Sequence, residues 1–127
     1  MDKLEYIPGD LAFHYIPKTT IKKYVKVYVC STNNALSLED MDGKLYDYIG
    51  ELYPIPLTPE ILEKNGWVKD KEGYINDSYH LHLCGKYDGY SVYKVVNDNV
   101  VWLTGVRNVS DLQHLLFGLG INHEMEV

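Results

Sequence analysis

The chain has 127 residues, 46% of them apolar and 24% charged, the composition of a globular protein able to build a core. Its net charge of −6 disfavours duplex DNA or RNA as a partner, because affinity for a duplex comes mainly from Lys and Arg on phosphate. No apolar run approaches the ~18 residues of a membrane span.

One domain, 1–127, is expected. The opening MDKLEYIPGD is acidic and mixed, unlike a secretion signal, so a cytoplasmic location is expected. Cys30 and Cys84 are the only two cysteines and lack C-x-x-C spacing, which excludes a disulfide framework or a four-cysteine zinc site. Both are expected as buried, reduced thiols. Twelve tyrosines are many for this length. Tyrosine supplies rigid, amphipathic area for base stacking and for protein interfaces, and its ring also suits strands.

In chain order, 4–7 is expected as a short lead-in strand ended by Pro8-Gly9. Residues 11–16 (LAFHYI) form a strand that stops at Pro17. The clearest strand is 21–30 (IKKYVKVYVC), with Val25, Val27 and Val29 on a core face and Tyr24, Lys26, Tyr28 and Cys30 opposite. Lys22, Lys23 and Lys26 are expected as a solvated basic group. Residues 31–34 are turn material, and Asp42-Gly43 is a hairpin signal with 44–52 as the returning strand. Glu39, Asp40 and Asp42 lack the spacing of a calcium loop and are expected as a solvated acidic loop.

The organising stretch is 52–67, LYPIPLTPEILEKNGW. Pro54 and Pro56 demand an extended or edge segment. Thr58 then caps a helix with Pro59 at its first position, Glu60 suits the positive end of its dipole, and Asn65-Gly66 stops it. This short helix, 59–64, needs packing to persist, and Trp67 follows as its anchor.

The segment PIPLTPEILEKNGW resembles the signature of a family of small uncharacterised proteins carried by prophages and mobile elements of Bacteroidetes. That family closes on an apolar helix of the V-H-x-L-Q-N-L-Y-F-A-L kind, which Val109, Leu112, Gln113, Leu115, Phe117 and Leu119 match. Ser110, His114, Leu116 and Gly118 depart from it. The likeness covers the second half of the chain and implies a mobile-element context, not a chemistry.

Residues 68–75 read as a hairpin arm around KDKEG. Residues 79–84 (YHLHLC) alternate strictly, with Tyr79, Leu81 and Leu83 on one face and His80, His82 and Cys84 on the other. His-x-His on a strand can aim two imidazoles at one metal, so His80 and His82 are the weak metal candidates; a third ligand would have to come from His14, His114 or His123. Lys86, Tyr87 and Tyr90, around the glycine-bounded loop GKYDG, offer a cation for phosphate and flat rings for a base. No G-x-G-x-x-G or P-loop spacing accompanies them. Asn97-Asp98-Asn99 turns the chain into a strand over 100–106, with Val100 and Trp102 on one side and Val101 and Leu103 on the other. A second helix is expected over 110–119, with Ser110 as cap, Gln113 completing a capping box, and Leu112, Leu115, Leu116 and Leu119 as its apolar stripe. Gln113 and Phe117 are expected beside that stripe, available to a partner, and the tail INHEMEV as mobile or as an interface strand.

These elements make an α+β fold of largely antiparallel hairpins, closing into a small barrel or left as a half-barrel, with one short central helix and one C-terminal helix. No motif for nucleophilic, glycosidic or P-loop chemistry is present, and no cofactor is expected. Three functions are carried forward. The first is a non-catalytic binder of a small nucleotide-like ligand, possible sequestration of a host defence signal included, with Tyr87, Tyr90, Lys86, Trp67 and Arg107 as its ligand-binding residues. The second is an interaction module for a host protein. The third is a small metal-dependent hydrolase. Exposed strand edges and spare aromatic surface also lead to a homo-oligomer as an expectation.

Overall fold

A computed structural model of the chain describes residues 6–30, 36–86 and 88–127. Among these the protein is α+β, with two five-stranded antiparallel sheets, one short central helix and one C-terminal helix. The chain divides into two compact units, Met1–Ile55 and Pro56–Val127, each built on one sheet. Neither sheet closes on itself, so the fold takes the open form and not the barrel. None of the described helices is long and apolar enough to cross a membrane.

The first unit holds β1 (Leu11–Tyr15), β2 (Lys22–Cys30), β3 (Leu36–Asp40), β4 (Leu45–Tyr48) and β5 (Tyr53–Pro54), in the order β4-β3-β2-β1-β5. Period-two alternation on β2 buries Val25 and Val27 completely and leaves Tyr24 and Tyr28 exposed. Val25, Val27 and Leu38 form a core joined by Tyr6, Leu36, Tyr46, Tyr48 and Leu52. Each such buried aliphatic contributes about 1.5–3 kcal/mol of transfer free energy. The β3–β4 hairpin turns at Asp42-Gly43 as expected, with Gly43 at φ 85°. Its first strand, LSLED, is short and carries only two apolar residues, Leu36 and Leu38, so it does not stand out in the sequence. The returning strand ends at Tyr48, not 52. Tyr6 and Ile7 are not in a strand, and the rest of the lead-in strand expected over 4–7, like the turn at 31–34, lies outside the described residues.

The second unit holds α1 (Pro59–Lys64), β6 (Val68–Lys69), β7 (Gly73–Asn76), β8 (Leu81–Lys86), β9 (Gly89–Val96), β10 (Asn99–Val106) and α2 (Val109–Gly118). Its strands form a meander, β10-β9-β8-β7-β6. At α1, Thr58 Oγ1 accepts the Ile61 N–H at 3.3 Å, Leu62 is wholly buried, and Gly66 takes φ 88° after the last turn. The β9–β10 hairpin turns on Asn97 and Asp98, at φ 49° and 69°. Two left-handed residues in a two-residue loop match the twist of the flanking strands, and Asn and Asp bear that conformation better than most residues.

The start of α2 differs from expectation. Its N-cap is Asn108, whose Oδ1 accepts the Asp111 N–H at 2.8 Å; Ser110 lies inside the helix and donates its hydroxyl to the same Oδ1. Asn caps as well as Ser and stands two residues earlier, so it takes the role. Asp111, not Gln113, then occupies the N3 position three residues after the cap. Gln113 is fully buried, with Nε2 donating to the His123 carbonyl at 3.0 Å, and is not available to a partner. Leu112 and Leu116 are buried on the expected stripe, whereas Leu119 is exposed at the helix end. The tail is pinned: Asn65 donates to the Glu126 carbonyl at 2.8 Å and accepts the Glu126 N–H at 2.8 Å, and Met125 is buried.

Candidate functional site: the open face of the second sheet

Strand register in the second unit decides which side chains share a surface. On one face Tyr74, Leu81, Leu83, Val92 and Val106 are buried at alternate positions. Tyr74 Oη donates to Glu63 Oε2 at 3.3 Å, which brings the end of α1 to that face. The other face is open. Across it runs one register row, Val68–Ile75–His82–Tyr93–Trp102, in which each residue is directly paired with the next. Directly paired antiparallel residues project to the same side with Cβ atoms ~5 Å apart, so His82, Tyr93 and Trp102 form a contiguous ring-bearing strip. Trp102 is 59% exposed.

Beside this strip lies a shallow cavity of about 680 Å³, lined by Glu72, His82, Cys84, Gly85, Tyr93 and Val100. That volume is within the range of small-ligand sites. Lys86 follows His82 and Cys84 on the same face, its Nζ 2.7 Å from where a side chain at Gly105 would begin. Glu72, whose carbonyl accepts the Gly85 N–H at 3.0 Å, places a carboxylate-bearing residue beside the same end of β8. Burial, and then the charges of Glu72 and Asp70, push the Cys84 thiol up from its ordinary value. A thiol held protonated in this way is a poor nucleophile. The Cys30 side chain lies outside what is described.

The ligand-binding residues expected from sequence are not brought together. Lys86 is on the open face, but Tyr90 pairs with Gly85 and Val106 and so projects to the buried face, where its ring meets Tyr74 edge-on at 6.3 Å. A two-residue loop with Lys86 opposite Gly89 gives Lys86 and Tyr90 opposite parity. Trp67 is 3% exposed and packs edge-on to Tyr79 at 6.2 Å; it is a core residue, as the anchoring of α1 requires. Arg107 is exposed and pairs with Asp88 through Nε at 3.1 Å. Tyr87 lies outside the described residues. Tyr93, on the open face beside the cavity, is not among the residues expected from sequence, although the alternation Ser91, Tyr93, Val95 already sets it on the face opposite Tyr90.

The His-x-His strand is also corrected. Residues 77–80 are a turn, His80 has φ 56°, and β8 begins only at Leu81. His80 therefore leaves the row it would have shared with His82 and Cys84. Among the described residues no group of three or more His, Cys, Asp or Glu is arranged to hold a metal ion. The third-ligand candidate His14 is buried in the first unit and hydrogen-bonded to Tyr46.

The fold and the face together define an α+β protein with a solvent-facing aromatic strip on one meander sheet. Neither a family model nor a curated protein nor a solved structure matches the chain.

Proposed function

We propose that this is a non-catalytic binding protein that takes a small, flat, nucleotide-like ligand on the open face of the second sheet. The ring system would lie along Tyr93 and His82, with its anionic end toward Lys86. The observation that carries this is the register row placing His82, Tyr93 and Trp102 on one face beside a cavity of about 680 Å³. Ring stacking of this kind contributes ~1–3 kcal/mol per base, and a single cation suffices to orient the charged end. The raised thiol pKa of Cys84 weighs against covalent chemistry in the same cavity. The likeness of 54–67 to the prophage and mobile-element family supports a mobile-element context and a cytoplasmic place of action, where a sequestered signal would be met.

Trp102 supplies the test, since an exposed indole beside the site reports on occupancy. Titration with a panel of mono- and dinucleotides should quench its fluorescence saturably, and Tyr93→Ala should weaken binding by about tenfold or more. Saturable binding that survives Tyr93→Ala and Lys86→Ala unchanged would place the ligand elsewhere; no binding by any of the panel would reject the proposal. A second function, docking of a host protein, is favoured by the exposure of Val68, Val100 and Trp102 on the same open face.

A further inference from the structure

The four sheet edges are not equivalent. β5 has two residues and one of them is Pro54; β6 has two residues and ends in Lys69; β4 carries Asp47 at its middle. Proline, shortness and charge are the devices that stop an edge from pairing with another chain. β10 is eight residues long, and from Asn99 to Val106 it holds neither a proline nor a charged side chain. Val100 and Trp102 on one face and Val101 on the other are 59%, 59% and 48% exposed. Its one irregularity is the register shift between Trp102 and Thr104, which confines regular pairing to the residues ahead of Leu103.

We infer that β10 pairs antiparallel with β10 of a second copy of this chain, about a two-fold axis at Val101, joining two second-unit sheets edge to edge. Charge selects this occupant. Each molecule carries a net charge of −6, so self-association needs a neutral contact, and a two-fold sets any charged edge residue close to its own like charge. Asp47 on β4 and Lys69 on β6 meet that penalty; β10 does not. A two-fold perpendicular to the sheet keeps faces together, so residue numbers facing each other must sum to an even value. Centring on Val101 sets Val100 opposite the partner subunit's Trp102 and keeps all three pairs apolar. Val100 lines the cavity on the open face, so the partner subunit's Trp102 would extend its wall. That last point rests on the proposed ligand site; the association itself does not.

Sedimentation of the ligand-free full chain over a concentration series reaching the high micromolar range should show a monomer–dimer equilibrium. Val101→Lys sets two lysines together on the axis and should raise the dissociation constant about tenfold or more, with an unchanged circular dichroism spectrum. Val100→Lys alone should do the same. Adding Trp102→Glu to Val100→Lys should restore the dimer, because this register alone brings those two positions together. A wild-type chain that stays monomeric throughout overturns the inference, as does a dimer indifferent to Val101→Lys or a double variant that fails to reassociate. Since no ligand is present, failure here is distinct from failure of the ligand site, which nucleotide titration of the monomeric Val101→Lys variant reads independently.

Discussion

His14 Nε2 lies 2.7 Å from Tyr46 Oη, while His14 Nδ1 lies 3.0 Å from the Tyr15 carbonyl. A carbonyl only accepts, so Nδ1 carries the proton, and in the neutral imidazole Nε2 accepts from the tyrosine hydroxyl. The imidazole also stacks on Tyr48 at a centroid distance of 4.3 Å and is 5% exposed. Tyr46→Phe leaves that buried acceptor without its donor and should cost about 1–3 kcal/mol, measured by urea unfolding. A change below the error of that measurement would show that water replaces the hydroxyl.

Asp40 organises the β3–β4 turn. Its Oδ1 accepts the N–H of Asp42 at 3.0 Å and of Lys44 at 2.9 Å, and Oδ2 is 3.8 Å from Lys23 Nζ. The Lys44 hydrogen bond leads the effects that hold its carboxyl below the ordinary value. A carboxylate with a lowered folded pKa contributes stability that is present above its unfolded pKa, about 4, and is lost as pH falls through the folded value. Thermal melts of wild type and Asp40→Asn between pH ~6 and ~2 should therefore converge toward the acid end. Parallel curves would contradict this role for Asp40.

Tyr90 and Tyr93 are three residues apart and should behave oppositely. Tyr90→Ala removes the ring that meets Tyr74 on the buried face and should destabilise by about 2 kcal/mol while leaving the open face intact. Tyr93→Ala should change stability less and weaken the binding read by nucleotide-dependent quenching about tenfold or more. The paired measurements are chemical denaturation and titration; the reverse pattern would mean that the faces are assigned the wrong way round.

Asn65 ties the tail to α1 with three hydrogen bonds, to Ile61 O at 2.7 Å, to Glu126 O at 2.8 Å and from Glu126 N at 2.8 Å. Asn65→Ala should cost about 1–3 kcal/mol and release the Glu126 amide to hydrogen exchange. Protection that persists at Glu126 would assign the docking of the tail to Met125 and Gln113 instead.

What could be read from one sequence was the part that neighbouring residues dictate. The Thr58-Pro59 helix start, the Asn65-Gly66 stop, the valine alternation of β2 and the turns at Asp42-Gly43 and Asn97-Asp98 all follow from local backbone preferences and short periodicities, and each is present. Local signals weakened where a turn overrode a pattern, as at His80, or where two good caps competed, as Asn108 did with Ser110.

The make-up of the candidate surface was decided at longer range. Whether Lys86 shares a face with Tyr90 or with His82 depends on how many residues the β8–β9 loop consumes, and a shift of one reverses every side chain. Trp67 reads equally well as a ligand ring or a core anchor until burial chooses between them. Composition and alternation by themselves determined an acidic α+β chain of antiparallel hairpins with surplus aromatic surface. Only tertiary pairing, in which strands distant in sequence set the parity of each other's side chains, decided that the surplus falls on the row from Val68 to Trp102 and along the unguarded edge of β10.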